Sequence, residues 1–476
     1  MKLLQLLNGI DAKIIGKSSR NITHLSHIAG ECSKDSIFFC LKGKQTDGQK
    51  YIEEAEHGGC RVIVTEEAIE NKHITQIIVA DSRKAMSQMA ANFYDNPASK
   101  LKIIGVTGTN GKTTVCHMVK HVLQTKNTVG IIGTNGAEFC GKKIVTNMTT
   151  PDPIILHKIL AQMANSGVQI VVMEMSAHAI FLQKLWGVMP HIIAFTNLSQ
   201  DHLDYFENMD KYFEAKAAMF AGQKYDKSVV CIDTEYGDKI AQLSKNVLTC
   251  SSEAKNADII AKNNRHTIFG QSFDCLCGAE TQNFKINLFG KFNLQNVIVA
   301  ITICKAYGIA LENIAASLET FEGVDGRFDC MTYGSTKIIV DYAHTPDGLD
   351  SLLATTRELE PKEKLVCVFG CGGNRDASKR PLMAAVAEKY ADFVIVTTDN
   401  PRYEDNYKIA QDIVAGFLKK KYKVLLDRGQ AIREAIDMTK KGGIVVIAGK
   451  GAETQMEIGG TKLEFSDKKF VKKLFE

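Results

Sequence analysis

The sequence lacks several features that would have set its class at once. No apolar run approaches the roughly 20 residues that a bilayer-spanning helix needs. Residues 1–8 carry one lysine and a short apolar run broken by Gln5 and Asn8, a poor match to a secretory signal. Charge of one sign is not in excess either. The 58 Lys and Arg against 54 Asp and Glu leave a net charge of +4. Nothing in the overall field therefore points to nucleic acid or an anionic membrane. A local site for a phosphate-bearing ligand needs no such excess. A disulfide or zinc framework is absent as well. The 13 cysteines are odd in number and scattered, and Cys275-Leu276-Cys277 and the pair Cys367 and Cys371 lack partners at zinc spacing. They read as reduced thiols of a cytoplasmic protein. Repeats and low-complexity tracts are missing too.

What remains is an ordinary globular composition, 45% hydrophobic and 24% charged, over a length that suggests about three domains. Residues 1–99 mix short strands (37–41, 61–65, 77–79) with a helix over 83–94. The turn chemistry of Tyr94-Asp95-Asn96-Pro97-Ala98-Ser99 predicts a linker. From Lys102, apolar runs without polar alternation (103–107, 129–133, 170–175, 192–197, 229–232) alternate with helical segments. That pattern predicts a mostly parallel sheet covered on both faces. A second βα series starts near Arg327, with strands at 337–342, 365–370, 393–398, 423–426 and 443–448 and helices at 379–390, 407–420 and 430–439. It reads as a Rossmann-like, doubly wound domain. The expected division is 1–99, 100–326 and 327–476, all α/β.

The strongest local signal is Thr107-Gly108-Thr109-Asn110-Gly111-Lys112-Thr113-Thr114. It follows a strand and opens a helix, the context of a phosphate loop. Gly108 and Gly111 let the backbone N–H groups of the loop, Thr109 and Asn110 included, close around phosphate oxygens, and the helix N-terminus adds partial positive charge. Lys112 would reach the β- and γ-phosphates of ATP, and the Thr113 hydroxyl, next to Thr114, would face Mg²⁺. The strict long pattern misses by one place, with Val106 where glycine is asked for; the shorter G-x-x-G-K-T form fits. Glu174 ends a buried-type strand, where a metal-binding carboxylate belongs. Asn197-Leu198-Ser199-Gln200-Asp201-His202-Leu203-Asp204 follows another strand, and Lys216 lies fourteen residues beyond His202. Singly, Glu174 could cap a turn, His202 could be structural and Lys216 could be a solvated helix lysine.

Together with Gly290-Lys291-Phe292-Asn293-Leu294-Gln295-Asn296, Gly326-Arg327-Phe328 and Asp341-Tyr342-Ala343-His344-Thr345-Pro346, these segments resemble the Mur ligases over essentially the whole chain. The resemblance implies three domains: one for the uridine end of the substrate, one for ATP, and a last one that closes over the site and takes the incoming amino acid. It implies Glu174, His202 and Thr113 on Mg²⁺, with Lys216 carbamylated by CO₂ into an N6-carboxylysine that also faces the metal. Lys112, Lys216, His202 and Glu174 would be the catalytic set. Asn293, Arg327 and Asp341 would contact the nucleotide. The implied reaction activates a peptide carboxylate as an acyl phosphate, which an amine then attacks.

Thr398-Asp399-Asn400-Pro401-Arg402 matches the form found in family members that add meso-2,6-diaminopimelate to UDP-N-acetylmuramoyl-L-alanyl-D-glutamate. Diaminopimelate has a second carboxylate at its far end, which a guanidinium can grip in a bidentate pair. By the same resemblance Arg375, Asp399, Asn400, Pro401, Arg402, Gly449 and Glu453 line the amino-acid site, with Glu453 on the distal ammonium. Ser26, Lys44, Gln45, Thr46, Thr149, Thr150, Ser176 and Lys184 line the muramyl-peptide site. Some positions depart from the family pattern. Leu25-Ser26-His27 stands for Asp-Ser-Arg, Ala177 for a serine, Leu182 for a glutamine, Lys184 for an arginine, and Ala452 for the histidine of Gly-Lys-Gly-His-Glu. A monomer without nucleic-acid or membrane partners is expected. Two alternatives stay open at this point. One is a related ligase, lysine-adding or folylpolyglutamate-forming. The other is a P-loop ATP-binding regulatory protein without ligase activity.

Overall fold

A computed structural model describes residues 1–43, 46–70, 73–222, 224–253, 255–267, 270–419, 421–440 and 442–476. The chain packs into two compact units. The first holds 1–105, 126–193 and 218–226; the second holds 106–125, 194–217 and 227–476. Both are α/β, as the strand and helix alternation predicts, and no described helix is long and apolar enough to cross a membrane.

In the first unit, five strands form one sheet. Ala12–Ile15 lies antiparallel to Thr75–Val79, followed in parallel by Val62–Thr65, Ser36–Phe39 and His24–Ser26. Asp81 caps the helix Ser82–Phe93 by accepting from the backbone N–H groups of Arg83 and Lys84. The segment 94–99 is not a free linker. Asp95 and Asn96 take left-handed backbone angles, and the turn Pro97–Lys100 sends Ala98 and Leu101 into a core with Ile103, Leu156 and Ile159. Burial of those apolar side chains fixes a stretch whose turn residues alone suggested slack. The same unit pairs Ile170–Glu174 in parallel with Val129–Gly133, which continues antiparallel into Gly136–Phe139 and Lys142–Ile144.

The second unit contains the helix Lys112–Leu123, packed against the almost wholly buried helix Lys291–Tyr307. Lys227–Cys231, Val247–Ser251 and Ile259–Thr267 run parallel. Gly270–Cys277 and Glu280–Ile286 then add an antiparallel ribbon, registered by the stacked pair Phe273 and Phe284 with centroids 5.4 Å apart. Sequence reading did not separate this ribbon from the parallel strands.

Six strands make the remaining sheet, in the order Asp329–Tyr333, Thr336–Asp341, Gly443–Ala448, Leu365–Phe369, Phe393–Val396 and Tyr422–Val424, with only the first antiparallel. Its apolar runs are explained by two covered faces. Leu365, Cys367 and Phe369 point into one core with Leu352, Met383 and Ile409. Val366 and Val368 point into the other with Ile432, Ala435 and Val471. The helix expected over 407–420 is shorter, Asn406–Val414. Glu388 accepts from the backbone N–H groups of Leu418 (3.1 Å) and Lys419 (2.6 Å), and Gly416 lies so close to the Pro381 carbonyl that a Cβ would overlap it. These tertiary contacts end the helix.

All 13 cysteines are unbonded thiols.

Candidate active site

The strand Lys102–Thr107 delivers the chain into the phosphate loop. Gly111 sits at φ +84 as the residue before the helix Lys112–Leu123, and a Cβ there would overlap Asn296 Oδ1. Gly108, at φ +148, has no room for a Cβ beside Thr196 Oγ1. The residues just after the strand Ile192–Phe195 brace the loop. Thr196 Oγ1 donates to the Asn110 carbonyl (2.7 Å), the Asn110 N–H to Asn197 Oδ1 (2.9 Å), and the Thr109 N–H to the Asn197 carbonyl (2.9 Å). The Thr109 hydroxyl lies 3.2 Å from the hydroxyl of Tyr212.

Two lysines converge on this loop. Lys112 Nζ donates to the carbonyls of Gly108 (3.0 Å) and Thr109 (2.8 Å). Lys216, from the helix Met209–Ala221, is buried and donates to the same Gly108 carbonyl (2.8 Å), with its ammonium 4.7 Å from the centre of the Tyr212 ring. Burial, then the nearby positive charge of Lys112, pushes the Lys216 amine well below its ordinary range; Asp201 opposes this. A buried lysine of this kind is not the solvated helix residue that its position in the sequence also allowed.

His202 stands in the left-handed region at φ +56, with Nε2 3.3 Å from Asp201 Oδ2. Burial would raise the Asp201 carboxyl, but His202, His344 and Lys379 hold it down at about 2. His344 Nε2 and Lys379 Nζ lie 3.8 and 3.9 Å from its oxygens. Arg327 Nη2 donates to the Thr113 hydroxyl (3.1 Å), and its guanidinium lies 4.2 Å from the centre of the Tyr342 ring. Asp341 is buried and accepts from the backbone of Phe328 (2.6 Å) and Ala343 (2.7 Å). Burial raises its carboxyl above the usual range, against the pull of Arg327. Asn293 bonds Phe289 and Asn296. Thr114 is buried inside the helix.

The amino-acid motif lies in the same unit. Arg402 takes φ +53, and its Nη1 donates to the Gly373 carbonyl (2.8 Å). Asn400 Nδ2 donates to Glu453 Oε2 (2.9 Å), which also accepts from the fully buried Lys450 (2.8 Å). Gly449, at φ +114, would place a Cβ 2.5 Å from Asp399 Oδ2, and Gly373 leaves no room for one against the Pro401 carbonyl. Arg375 is exposed, and it flanks Gly372 together with Arg402.

The first unit gathers another set. Glu174 is buried at the end of its strand and accepts from the Thr134 backbone (2.8 Å) and hydroxyl (3.2 Å). Thr149 Oγ1 is 3.2 Å from Thr134 Oγ1. Thr150 Oγ1 donates to the Glu174 carbonyl (2.8 Å) and accepts from the Ser176 N–H (3.0 Å). Ser176 caps the helix Ala177–Phe181. Lys184 pairs with Asp152 Oδ1 at 2.7 Å, and His27 approaches Asp152 Oδ2 at 3.9 Å. Ser26 Oγ donates to the Ile28 carbonyl (2.9 Å), and the Thr46 carbonyl accepts from Gly43 (2.7 Å). Lys44 and Gln45 lie outside the described residues.

Sequence reasoning gave no role to Asp201, Tyr212, Lys379 or the fully buried pair Arg428 and Asp467. Arg428 holds the carbonyls of Thr398 and Ala448 at 3.0 Å each, the ends from which the amino-acid motif departs. Only the pairing of distant charged residues could have revealed them.

The residues fit a bound nucleoside triphosphate: an open-backed glycine loop, an ammonium over it and a helix N-terminus. Among the described residues, no group of three or more His, Cys, Asp or Glu side chains gathers as an all-protein metal cage.

Three family descriptions match the chain: "Mur ligase family, catalytic domain" over residues 21–94, "Mur ligase middle domain" over 106–304 and "Mur ligase, glutamate ligase domain" over 326–451. A UDP-N-acetylmuramoyl-L-alanyl-D-glutamate–2,6-diaminopimelate ligase of Clostridium acetobutylicum is 36% identical, with 100% of both chains covered. One from Geobacillus kaustophilus is 38% identical, with 98% of each covered. A solved structure of a ligase of that name superposes with a TM-score of 0.69 at 28% identity, covering 100% of this chain and 98% of its own. A Thermotoga maritima MurF ligase in complex with ADP shares the fold at 18% identity, with a TM-score of 0.62 over 90% of this chain and 93% of its own.

Proposed function

This chain belongs to the Mur ligase family, and on that premise we propose the following account of its chemistry. It is an ATP-dependent ligase of peptidoglycan precursor synthesis. It adds meso-2,6-diaminopimelate to the D-glutamyl γ-carboxylate of UDP-N-acetylmuramoyl-L-alanyl-D-glutamate. The glutamyl carboxylate attacks the γ-phosphoryl group of ATP, giving an acyl phosphate and ADP. The amine of diaminopimelate then attacks the acyl carbon, and phosphate leaves through a tetrahedral intermediate.

Lys112 and the loop amides orient the phosphates and offset their charge, so positioning and electrostatics supply most of the rate. Arg327, already on the Thr113 hydroxyl, steers that hydroxyl and the nucleotide, with Asn293 and Asp341 alongside. Lys216 serves as a carbamate: burial and the charge of Lys112 push its amine down, toward the neutral form that takes up CO₂, and the anion formed suits a site that an ammonium would disfavour. Thr113, Glu174, His202 and the Lys216 carbamate would hold Mg²⁺, which when bound would supply positive charge for the phosphoryl group. Thr149, Thr150, Ser176 and Lys184 hold the muramyl peptide, and Ser26, Lys44, Gln45 and Thr46 the uridine end. Arg375, Asp399, Asn400, Pro401, Arg402, Gly449 and Glu453 receive diaminopimelate. The division 1–99, 100–326 and 327–476, a cytoplasmic location and a monomeric state complete the proposal.

The observation that carries it is the buried Lys216 ammonium sharing a loop carbonyl with Lys112. A switch ATPase has no need of that second lysine. A phosphate-release assay with an amine panel tests the account. Release should require ATP, UDP-muramyl-dipeptide and diaminopimelate together, with lysine far slower. Release without the dipeptide, or equal rates with the two amines, would overturn it.

A further inference from the structure

The hairpin of Gln455–Ile458 and Thr461–Glu464 forms a two-stranded sheet of its own. It docks on the amino-acid motif through backbone contacts on both sides of one residue, Glu457. The Glu457 N–H donates to Asn400 Oδ1 (2.9 Å), the Arg402 N–H donates to the Glu457 carbonyl (3.0 Å), and the Gly459 N–H returns to the Arg402 carbonyl (2.6 Å). Those bonds hold Arg402 at φ +53, a left-handed conformation that side-chain-bearing residues rarely adopt.

The Glu457 side chain then meets the arginine it has positioned. Its Oε2 lies 3.5 Å from Arg402 Nε, and both side chains are partly exposed, 33% and 23%. The guanidinium is used on two of its three sides: Nη1 faces the Gly373 and Asn400 carbonyls, and Nε faces Glu457. Nη2 has no partner among the described residues, and neither does Glu457 Oε1. A cation edge and a carboxylate oxygen thus stand open side by side. Glu453, which the family resemblance gives to the ligand's distal ammonium, keeps only Oε1 without a partner among the described residues. Its Oε2 is already bonded to the buried Lys450 ammonium and to Asn400.

We propose that Glu457 is a specificity-determining residue of the amino-acid site, reading the distal ammonium of the incoming amino acid while Arg402 reads the carboxylate on the same carbon. An ion pair open on one edge is complementary to a zwitterion and to neither charge alone. A far end bearing only an ammonium meets Arg402 unfavourably, and one bearing only a carboxylate leaves Glu457 unpaired. This rests on the proposed diaminopimelate activity and adds a second carboxylate, beside Glu453, to the recognition of its distal amine.

The test uses the whole enzyme and Glu457→Gln, which keeps the side-chain size and the backbone bonds. Two amines are compared: meso-2,6-diaminopimelate, and 2-aminopimelate, which has the distal carboxylate without the distal amine. The variant should raise KM for diaminopimelate about tenfold or more, the scale of one charged hydrogen bond. Its kcat, and its KM for ATP and for the muramyl dipeptide, should stay within about twofold because Glu457 touches neither. With 2-aminopimelate, kcat/KM should be unchanged or higher, so the preference of the wild type for diaminopimelate collapses. Thermal unfolding checks that the variant is folded. An equal loss on both amines would overturn the proposal, because Glu457 would then serve only to hold Arg402. An unchanged preference would overturn it as well. A wild type inactive with diaminopimelate would instead sink the proposed activity, and the inference with it.

Discussion

Lys112 and Lys216 donate to one acceptor, the carbonyl oxygen of Gly108, at 3.0 and 2.8 Å. Two ammonium groups on one carbonyl repel each other. The buried one, Lys216, is the one whose amine is pushed down, by desolvation first and then by the charge of Lys112. The loop thereby gathers two lysines on one backbone acceptor, one partly buried and one fully buried.

Lys216→Arg keeps a cation and cannot form a carbamate. We expect kcat to fall by about 100-fold or more, the scale of losing one pre-organised charge at a phosphoryl-transfer site. Labelled bicarbonate should give a carbamyl carbon NMR signal in the wild type and none in the variant. A variant with full kcat would remove the modified lysine from the account.

Gly111→Ala asks an alanine to adopt φ +84 and to overlap Asn296 Oδ1. The strain alone is about 1–2 kcal/mol, and relieving the overlap must open the loop. KM for ATP should rise steeply. Gly141→Ala, also at positive φ (+74) but with nothing within 4 Å, should lower stability alone. Equal ATP binding in the two variants would contradict the loop assignment.

His157, on the helix Pro153–Asn165, is fully buried, and neither ring nitrogen has a partner among the described residues. Burial lowers it to about 4. The unfolded chain therefore binds a proton below the ordinary value near 6.5 that the folded chain refuses. Stability is complete above that value and declines as pH falls toward 4, by about 3 kcal/mol in all. His157→Leu should flatten this part of the urea-unfolding profile against pH. A parallel profile would show that the ring finds a partner when protonated.

Arg428 and Asp467 form an ion pair with both side chains fully buried. Asp467→Asn leaves the guanidinium inside with its charge uncompensated, a loss of about 3–5 kcal/mol. Because Arg428 also holds the Thr398 and Ala448 carbonyls, KM for the amine should suffer more than KM for ATP. Urea unfolding and a KM comparison check both parts; a loss under about 1 kcal/mol would mean the pair is not what fixes those strand ends.

Legibility followed the range of the interaction. The phosphate loop and the doubly wound sheet could be read because glycine spacing and unbroken apolar runs are local consequences of a turn and of two covered faces. The end of the helix Asn406–Val414 could not be read, because Glu388 and Pro381 set it from 18 or more residues away. Ala98 looked like part of a linker because nothing beside it in the chain announces the core that receives it.

The sequence by itself determined the family and the order of motifs, since these depend on residue type and short spacing. Only the tertiary structure decided which charges meet: Lys216 beneath Gly108, Asp201 among His202, His344 and Lys379, and Glu457 beside Arg402. The reason is physical. A side chain's charge state and partners are set by burial and by neighbours brought from far along the chain, and no local pattern encodes either.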